Sequence, residues 1–201
     1  MKEFSSNSLN ILVDSALSNL KKDRDREVLR RRSGINVAPQ TLEQIGQDLS
    51  ITRERVRQIE KAALQKIRDK AEHKNEFSDS VLLIMTKRGG LLSTDTLGDE
   101  MGINSTLEPY AVFLIKINPQ FVYLERNDNH GRIIADSKTF DENKIRKLHD
   151  TLVEAVKTNG KPAKFKSIHQ LIDGPYSQDS LMELAKASSH LSELDNNWGL
   201  N

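Results

Sequence analysis

The sequence predicts a mainly α protein: a helix-turn-helix domain followed by two small winged-helix (α+β) modules. Three observations predict it. The stretch TLEQIGQDLSITRERVRQIEKAALQKIR (residues 41–68) has the apolar spacing of two helices joined by a tight turn. Residues 78–138 run helix, helix, helix, hairpin, and residues 141–201 loosely repeat that order. The 201 residues are 36% hydrophobic, 29% charged and only 5% aromatic, a balance that suits several small helical cores better than a large β-sandwich or an aromatic-lined pocket.

The first domain is expected over residues 1–73. Leu9, Leu12, Val13, Ala16, Leu17 and Leu20 recur at helical spacing. Asp23 is expected to cap a second helix running to Arg32, which Ser33-Gly34 stops. Thr41 and Gln44 make a capping-box pattern for the third helix. Leu42, Ile45 and Leu49 are its inner stripe, and Gly46 permits close approach. Ile51 plugs the turn. Thr52 caps a long helix to about Lys70 that buries Val56, Ile59, Ala63 and Ile67.

Polar residues 73–79 read as a linker, and modules follow at 78–138 and 141–201. In the first, Val81 to Met85 form a helical core segment broken by Gly89-Gly90. Ser93 or Thr94 caps a short helix carrying Leu97 and Met101, with Gly102 at its end. A third helix spans Pro109 to Lys116, and FVYLER, NDNHG and RIIAD give strand, turn and strand. In the second, Glu142 to Thr158 is amphipathic and ends at Asn159-Gly160. A short helix covers Ser167 to Ile172, and Asp173-Gly174-Pro175 turns the chain. Ser177 or Ser180 then caps a helix to about Leu191, and Trp198-Gly199-Leu200 forms one strand of a small wing.

Several chemistries are set aside. There is no cysteine, so no disulfide or thiolate metal site is possible. The five histidines are scattered without metal-ligand spacing and are expected at surfaces or boundaries. Gly89-Gly90 lacks the residues of a phosphate cradle. Asp136 and Asp141 sit at element ends, where carboxylates usually cap. No catalytic group, metal, cofactor or small-molecule substrate is expected. MKEFSSNSLN lacks the basic flank and apolar run of a signal peptide, and no segment is apolar enough to span a bilayer, so the expected compartment is the cytoplasm.

The net charge of +1 hides an asymmetry. Residues 21–74 carry fifteen Lys/Arg against nine Asp/Glu, whereas residues 75–201 carry fourteen against eighteen. A polyanion is steered toward the first segment. At about 100° per residue, Arg53, Glu54, Arg57, Gln58, Lys61 and Gln65 fall on one face of the long helix, opposite Val56, Ile59, Ala63 and Ile67. Arginine can donate twice to guanine, glutamine can pair with adenine, and glutamate can accept from cytosine. The arginines lie over arginine at i and i+4 rather than over acid, so a face knit by ion pairs is not expected. The triplet Arg30-Arg31-Arg32 suits either a phosphate or an acidic protein surface.

The run from Thr41 to Arg68, with DREVLRRRSGI (25–35) before it, closely resembles region four of the sigma-70 family of bacterial RNA polymerase initiation factors. The resemblance covers roughly residues 9–70. It implies that Arg53, Glu54 and Gln58 read a −35 promoter element, that Arg57 also contacts the DNA, and that Thr41 and Leu42 sit at the backbone. Thr52 and Lys61 are expected near phosphates. It also implies RNA polymerase core as a partner, since region four binds the polymerase flap through its hydrophobic concave side. Ser33 stands where the family usually has Phe or Tyr. Only twenty or so residues precede the run DREVLRRRSGI, so the region-two aromatics that melt the −10 element are not expected in this chain. More weakly, LIMTKRGGLLSTDTLGDEMGI, FVYLER and NNWGLN resemble HARE-type winged-helix modules, also found in the delta subunit of some bacterial polymerases. The implied role is promoter recognition as a sigma-like factor or regulator; the alternative is a delta-like accessory protein whose domains mainly make protein contacts.

Overall fold

A computed structural model describes residues 4–70 and 72–201; the first three residues of the expected N-terminal domain, and Ala71 within it, lie outside the described residues. In chain order come α1 (Ser6–Ser18), α2 (Asp23–Ser33), α3 (Leu42–Asp48), α4 (Arg53–Lys70) and α5 (Glu76–Lys87). Then follow β1 (Leu91–Ser93), α6 (Thr94–Met101), α7 (Glu108–Ile117), β2 (Phe121–Leu124) and β3 (Ile133–Asp136). The last are α8 (Glu142–Asn159), α9 (Phe165–His169), α10 (Gln178–Ala187), β4 (Leu191–Leu194) and β5 (Asn197–Leu200). The protein is mainly helical, with small antiparallel sheets after an N-terminal helical domain. The chain forms two compact units, one of residues up to 78 with 101–119, the other of 79–100 with 120–201.

In the first unit, α1 starts on a reciprocal Ser5/Ser8 capping box and buries Leu9, Val13, Ala16 and Leu17. Asp23 is not a cap: Lys22 holds that position without a side-chain bond, and Asp23 lies in the first turn of α2, where its charge suits the helix dipole. Gly34 closes α2 at φ +73°, a left-handed conformation that glycine adopts without a Cβ penalty. Val28 of α2, Ile45 of α3, and Val56 and Ile59 of α4 form a small core, with Leu42, Leu49 and Ile51 packed on it. A segment distant in sequence completes the unit: α7 lies against α1, α2 and α4, with Ala111, Phe113, Leu114, Ile115 and Ile117 buried. Tyr110 Oη donates to Asn36 Oδ1 at 2.8 Å, and Asn118 Nδ2 to the His73 carbonyl at 3.3 Å.

The stretch expected as a linker is pinned down. His73 Nε2 lies 2.7 Å from the Arg68 carbonyl, Ser78 Oγ donates to the His73 carbonyl at 2.6 Å, and Phe77 is buried with its ring edge-on to Phe4. One buried aromatic among polar residues outweighs their average hydropathy.

In the second unit, β3 lies between β1 and β2, with Leu91 opposite Ala135 and Phe121 opposite Asp136. The three-residue β1 is too short for its alternation to be read in sequence. Ser93 supplies the cap, its Oγ accepting from the Thr96 N–H at 3.0 Å. Chain order from α5 to β3 is thus helix, strand, helix, helix, strand, strand. The scheme recurs as α8, a single bridge at Ala163 to Trp198, α9, α10, β4 and β5. The short helix starts at Phe165 rather than Ser167, because Phe165 is buried with its ring edge-on to Trp198 at 5.5 Å. The helix capped by Ser177 stops at Ala187, not Leu191; Ser188 turns extended and Leu191 starts β4. Asp195 and Asn196, at φ +51° and +59°, make the two-residue turn to β5. Leu91, Leu124, Ile133 and Ala135 share one core with Ile145, Leu152, Leu184 and Trp198.

Candidate nucleic-acid interface

The geometry of α4 is set by the turn before it. Thr41 Oγ1 accepts from the Gln44 N–H at 3.2 Å, and Gln44 Oε1 accepts from the Thr41 N–H at 2.8 Å, which fixes the start of α3. A Cβ on Gly46 would stand 2.8 Å from the Ile51 carbonyl oxygen, so only glycine lets the turn backbone fold this closely over α3. Ser50 takes the left-handed conformation at φ +54°, and the Ile51 N–H returns to the Gly46 carbonyl at 2.9 Å. Thr52 Oγ1 accepts from the Arg55 N–H at 3.1 Å, starting α4.

With Val56, Ile59, Ala63 and Ile67 buried, the helix presents Arg53, Glu54, Arg57, Gln58 and Lys61 to solvent. These side chains share one face, as their spacing predicts. They are also knit together. Arg57 donates to Glu54 twice, Nε to Oε2 at 2.8 Å and Nη2 to Oε1 at 2.6 Å, and Gln58 Nε2 donates to Glu54 Oε1 at 3.4 Å. The expectation of a face without ion pairs is therefore corrected: it weighed i+4 neighbours, whereas the pair forms at i+3. The Arg57 hydrogen bonds hold the Glu54 carboxyl below the ordinary carboxylate range; desolvation opposes them, and the positive charge of Arg57, the Gln58 amide and Arg53 add to the lowering. Glu54 in turn raises Arg57 above the usual guanidinium value.

Thr41 and Thr52 are exposed at the two helix starts, with their hydroxyls engaged as caps. Leu42 is half-buried, its side chain packed on the small core, so its main-chain N–H is the group it has for an anion. Arg55 went unnoticed in the sequence. It is exposed, and its Nη1 donates to Gln58 Oε1 at 3.3 Å. Helical rotation was the available signal, since Arg55 lies about as far round one side of the face as Arg53 does round the other.

The arginine triplet is committed inside the unit. Arg30 pairs with Asp14 at 2.6 Å, Arg31 with Glu27 at 3.2 Å and with Asp48, and Arg32 with Glu60 at 3.2 Å while donating to the Gln40 carbonyl at 2.6 Å. These bonds tie α2 to α1, α3 and α4.

Elsewhere, Asp136 Oδ1 accepts from the Lys138 N–H at 2.9 Å and Asp141 Oδ1 from the Lys144 N–H at 2.8 Å, the turn and cap roles expected for acids at element ends. The histidines are not all peripheral: His130 and His149 are buried, and the His149 ring meets those of His130 and His190. No group of three or more His, Asp or Glu among the described residues could hold a metal ion. No described helix is long and apolar enough to cross a membrane.

Residues 16–69 match the family model described as Sigma-70, region 4. RNA polymerase sigma factor RpoD of Helicobacter pylori (strain ATCC 700392 / 26695) is 45% identical over 58 residues, which are 28% of this chain and 8% of the relative. RNA polymerase sigma factor SigA of Microcystis aeruginosa is 46% identical over 67 residues, 33% of this chain and 16% of the relative. SigA of Synechocystis sp. (strain ATCC 27184 / PCC 6803 / Kazusa) matches to the same extent. The chain thus spans less than a fifth of the length of these curated relatives. The matched segment contains α2, the turn and nearly all of α4.

Proposed function

We propose that this chain is a sequence-specific DNA-binding protein that acts in bacterial transcription initiation, as a sigma-like factor or a regulator reading a −35-type promoter element. The observation that carries this reading is the first turn and a half of α4. It offers Arg53, Glu54, Arg57 and Gln58 on one exposed face, within a segment that matches Sigma-70, region 4. Their chemistry matches guanine, cytosine and adenine edges in the major groove. Thr41, Leu42, Thr52 and Lys61 lie near phosphates in this reading, and Arg55 joins them at the rim. Double-stranded promoter DNA and RNA polymerase core are the proposed partners, the cytoplasm the proposed compartment, and the role is binding rather than catalysis.

The other helices that occupy the third position of a winged-helix order are poor readers. In α7 five apolar side chains, Ala111, Phe113, Leu114, Ile115 and Ile117, are buried, and α10 buries Ser180 and Glu183 along with its leucines. These features favour α4 as the helix that reads DNA. The division at 1–73, 78–138 and 141–201, with HARE-like modules behind the reader, belongs to the same proposal. A binding titration with cognate and scrambled duplexes tests it: equal affinity for both contradicts sequence-specific reading.

The acidic balance of residues 75–201 favours a second reading, a polymerase-associated accessory protein whose helix-turn-helix and winged helices mainly make protein contacts. Against a docking role for the apolar side of the reader stands α7, which already packs on α1, α2 and α4. Co-elution with core polymerase, without sequence preference on promoter DNA, favours this second reading.

A further inference from the structure

The loop joining β2 to β3 is fastened to the last residue of α10 and the segment that follows it. The Gly131 N–H donates to the Ala187 carbonyl at 2.7 Å, and the Ser189 N–H donates to the Asn129 carbonyl at 2.8 Å. His130 and Ser188 face one another in an isolated antiparallel bridge. Three imidazoles from three parts of the chain meet at this seam. The His149 ring, on α8, lies 5.8 Å from that of His130 in the loop and 6.0 Å from that of His190 before β4. His130 is 2% exposed and His149 3%.

The hydrogen bonds specify which nitrogens carry protons. Asn127 Oδ1 accepts from the main-chain N–H groups of Asn129 at 2.8 Å and His130 at 3.0 Å, which turns the amide NH2 toward His130 Nε2, 3.1 Å away. An NH2 group can only donate, so Nε2 accepts. His130 Nδ1 lies 2.7 Å from the Gly131 carbonyl, which can only accept, so the ring's proton is there. A second proton on this ring would set one N–H against another. His149 Nε2 shares a hydrogen bond with the Ser188 hydroxyl at 2.9 Å, and that oxygen also accepts from the His190 N–H at 3.1 Å. His190 Nε2 lies 3.1 Å from Asn129 Oδ1. With the His130 ring neutral, these bonds run through both the hairpin tip and the residues 187–190 that it meets.

We propose that this seam is a proton-operated latch, which holds the hairpin tip 127–131 against residues 187–190 while the His149 imidazole is neutral and releases it when that ring takes up a proton. Release frees the main-chain groups of Asn129, Gly131, Ala187 and Ser189. The groups that face the cluster agree with this. Burial, and next the neighbouring His130, push His149 below the ordinary imidazole range; Asp150, 3.8 Å from Nδ1, pulls the other way, and His190 lowers it again. Asp95, Arg126 and Arg132 line the cleft beside Gly131, Ala187, Ser188 and Ser189. Because His149 binds its proton less readily when latched than when released, the released form takes up more protons. The latch is thus fully stable above the ordinary imidazole value of about 6.5 and loses stability as the pH falls below it.

Amide hydrogen exchange on the full chain at about pH 7.5 and about pH 5.5, corrected for intrinsic rates, reads the latch directly. The Gly131 and Ser189 amides are expected to lose about tenfold or more of their protection at the lower pH, relative to the Leu152 amide within α8. His149→Gln, which keeps a partner for Ser188 and cannot titrate, is expected to flatten that dependence. If His149→Gln does not fold, the histidine ring resonances of the unaltered chain serve instead, and the opening midpoint is expected to coincide with the titration of the His149 ring. Unchanged protection, a dependence that survives His149→Gln, or an opening that follows carboxylates near about pH 4 overturns the proposal.

Discussion

Glu54 and Arg57 hold each other one turn apart on the exposed face of α4, through two hydrogen bonds of 2.8 and 2.6 Å. Gln58 donates to the same carboxylate at 3.4 Å. Three of the four side chains proposed to read bases are thus bonded to one another before DNA arrives, and a duplex must exchange these bonds for its own. The pairing orders long side chains that would otherwise sample many rotamers. It also makes the choice of base depend on which exchange is complete.

Glu54→Gln tests that dependence. Without the carboxylate Arg57 is free to turn to any phosphate, so non-specific affinity rises while the ratio of cognate to scrambled binding falls by roughly tenfold. The melting temperature stays close to that of the parent protein, because an exposed pair contributes little stability. Arg57 depresses the Glu54 carboxyl, so the pair is intact above the ordinary carboxylate range and is lost only as the pH falls through the lowered value. Fluorescence anisotropy on the two duplexes, repeated from neutral to acid pH, checks both statements.

Arg53→Ala and Lys61→Ala are expected to differ in kind. The first relaxes base preference by about 1–3 kcal/mol at one position of the site. The second weakens binding to all sequences alike and lowers the slope of log affinity against log salt by about 1. Titrations at several salt concentrations separate the two.

Gly46→Ala is expected to destabilise the reader by about 1–3 kcal/mol, the range for overpacking a well-packed site. The added Cβ meets the Ile51 carbonyl, which is backbone and cannot swing aside as a flexible side chain can. Denaturant unfolding gives the magnitude, and the far-ultraviolet spectrum should show helix retained outside the turn.

Phe113→Ala tests whether α7 is part of the reader. The side chain is fully buried, and its loss is expected to cost about 3–5 kcal/mol. Hydrogen exchange should show the loss in α1 and α4 while α8 keeps its protection, since α7 packs on the former two. An effect confined to the other unit contradicts this.

Much of the proposed reader was legible in the sequence because helix geometry alone decides which side chains share its exposed face. Val56, Ile59, Ala63 and Ile67 repeat at helical spacing, so the opposite face had to carry Arg53, Glu54, Arg57 and Gln58. The Thr41/Gln44 capping box is equally local. What pairs at a distance was not legible. The apolar run of α7 announced a buried face but not that α1, α2 and α4 would cover it. LSEL (191–194) continues the pattern of the helix before it, and only pairing with NWGL (197–200) makes it a strand. His130, His149 and His190 stand far apart in sequence and meet because α8 and the two hairpins fold together.

Selection of bound duplexes from a random pool, using the full chain and its Arg53→Ala variant side by side, tests the central claim most directly. The account predicts that the full chain enriches one short motif and that the variant loses preference at a single position within it while keeping the rest. Enrichment of no motif, or the same motif from both proteins, contradicts the reading of α4 as the element that chooses the DNA.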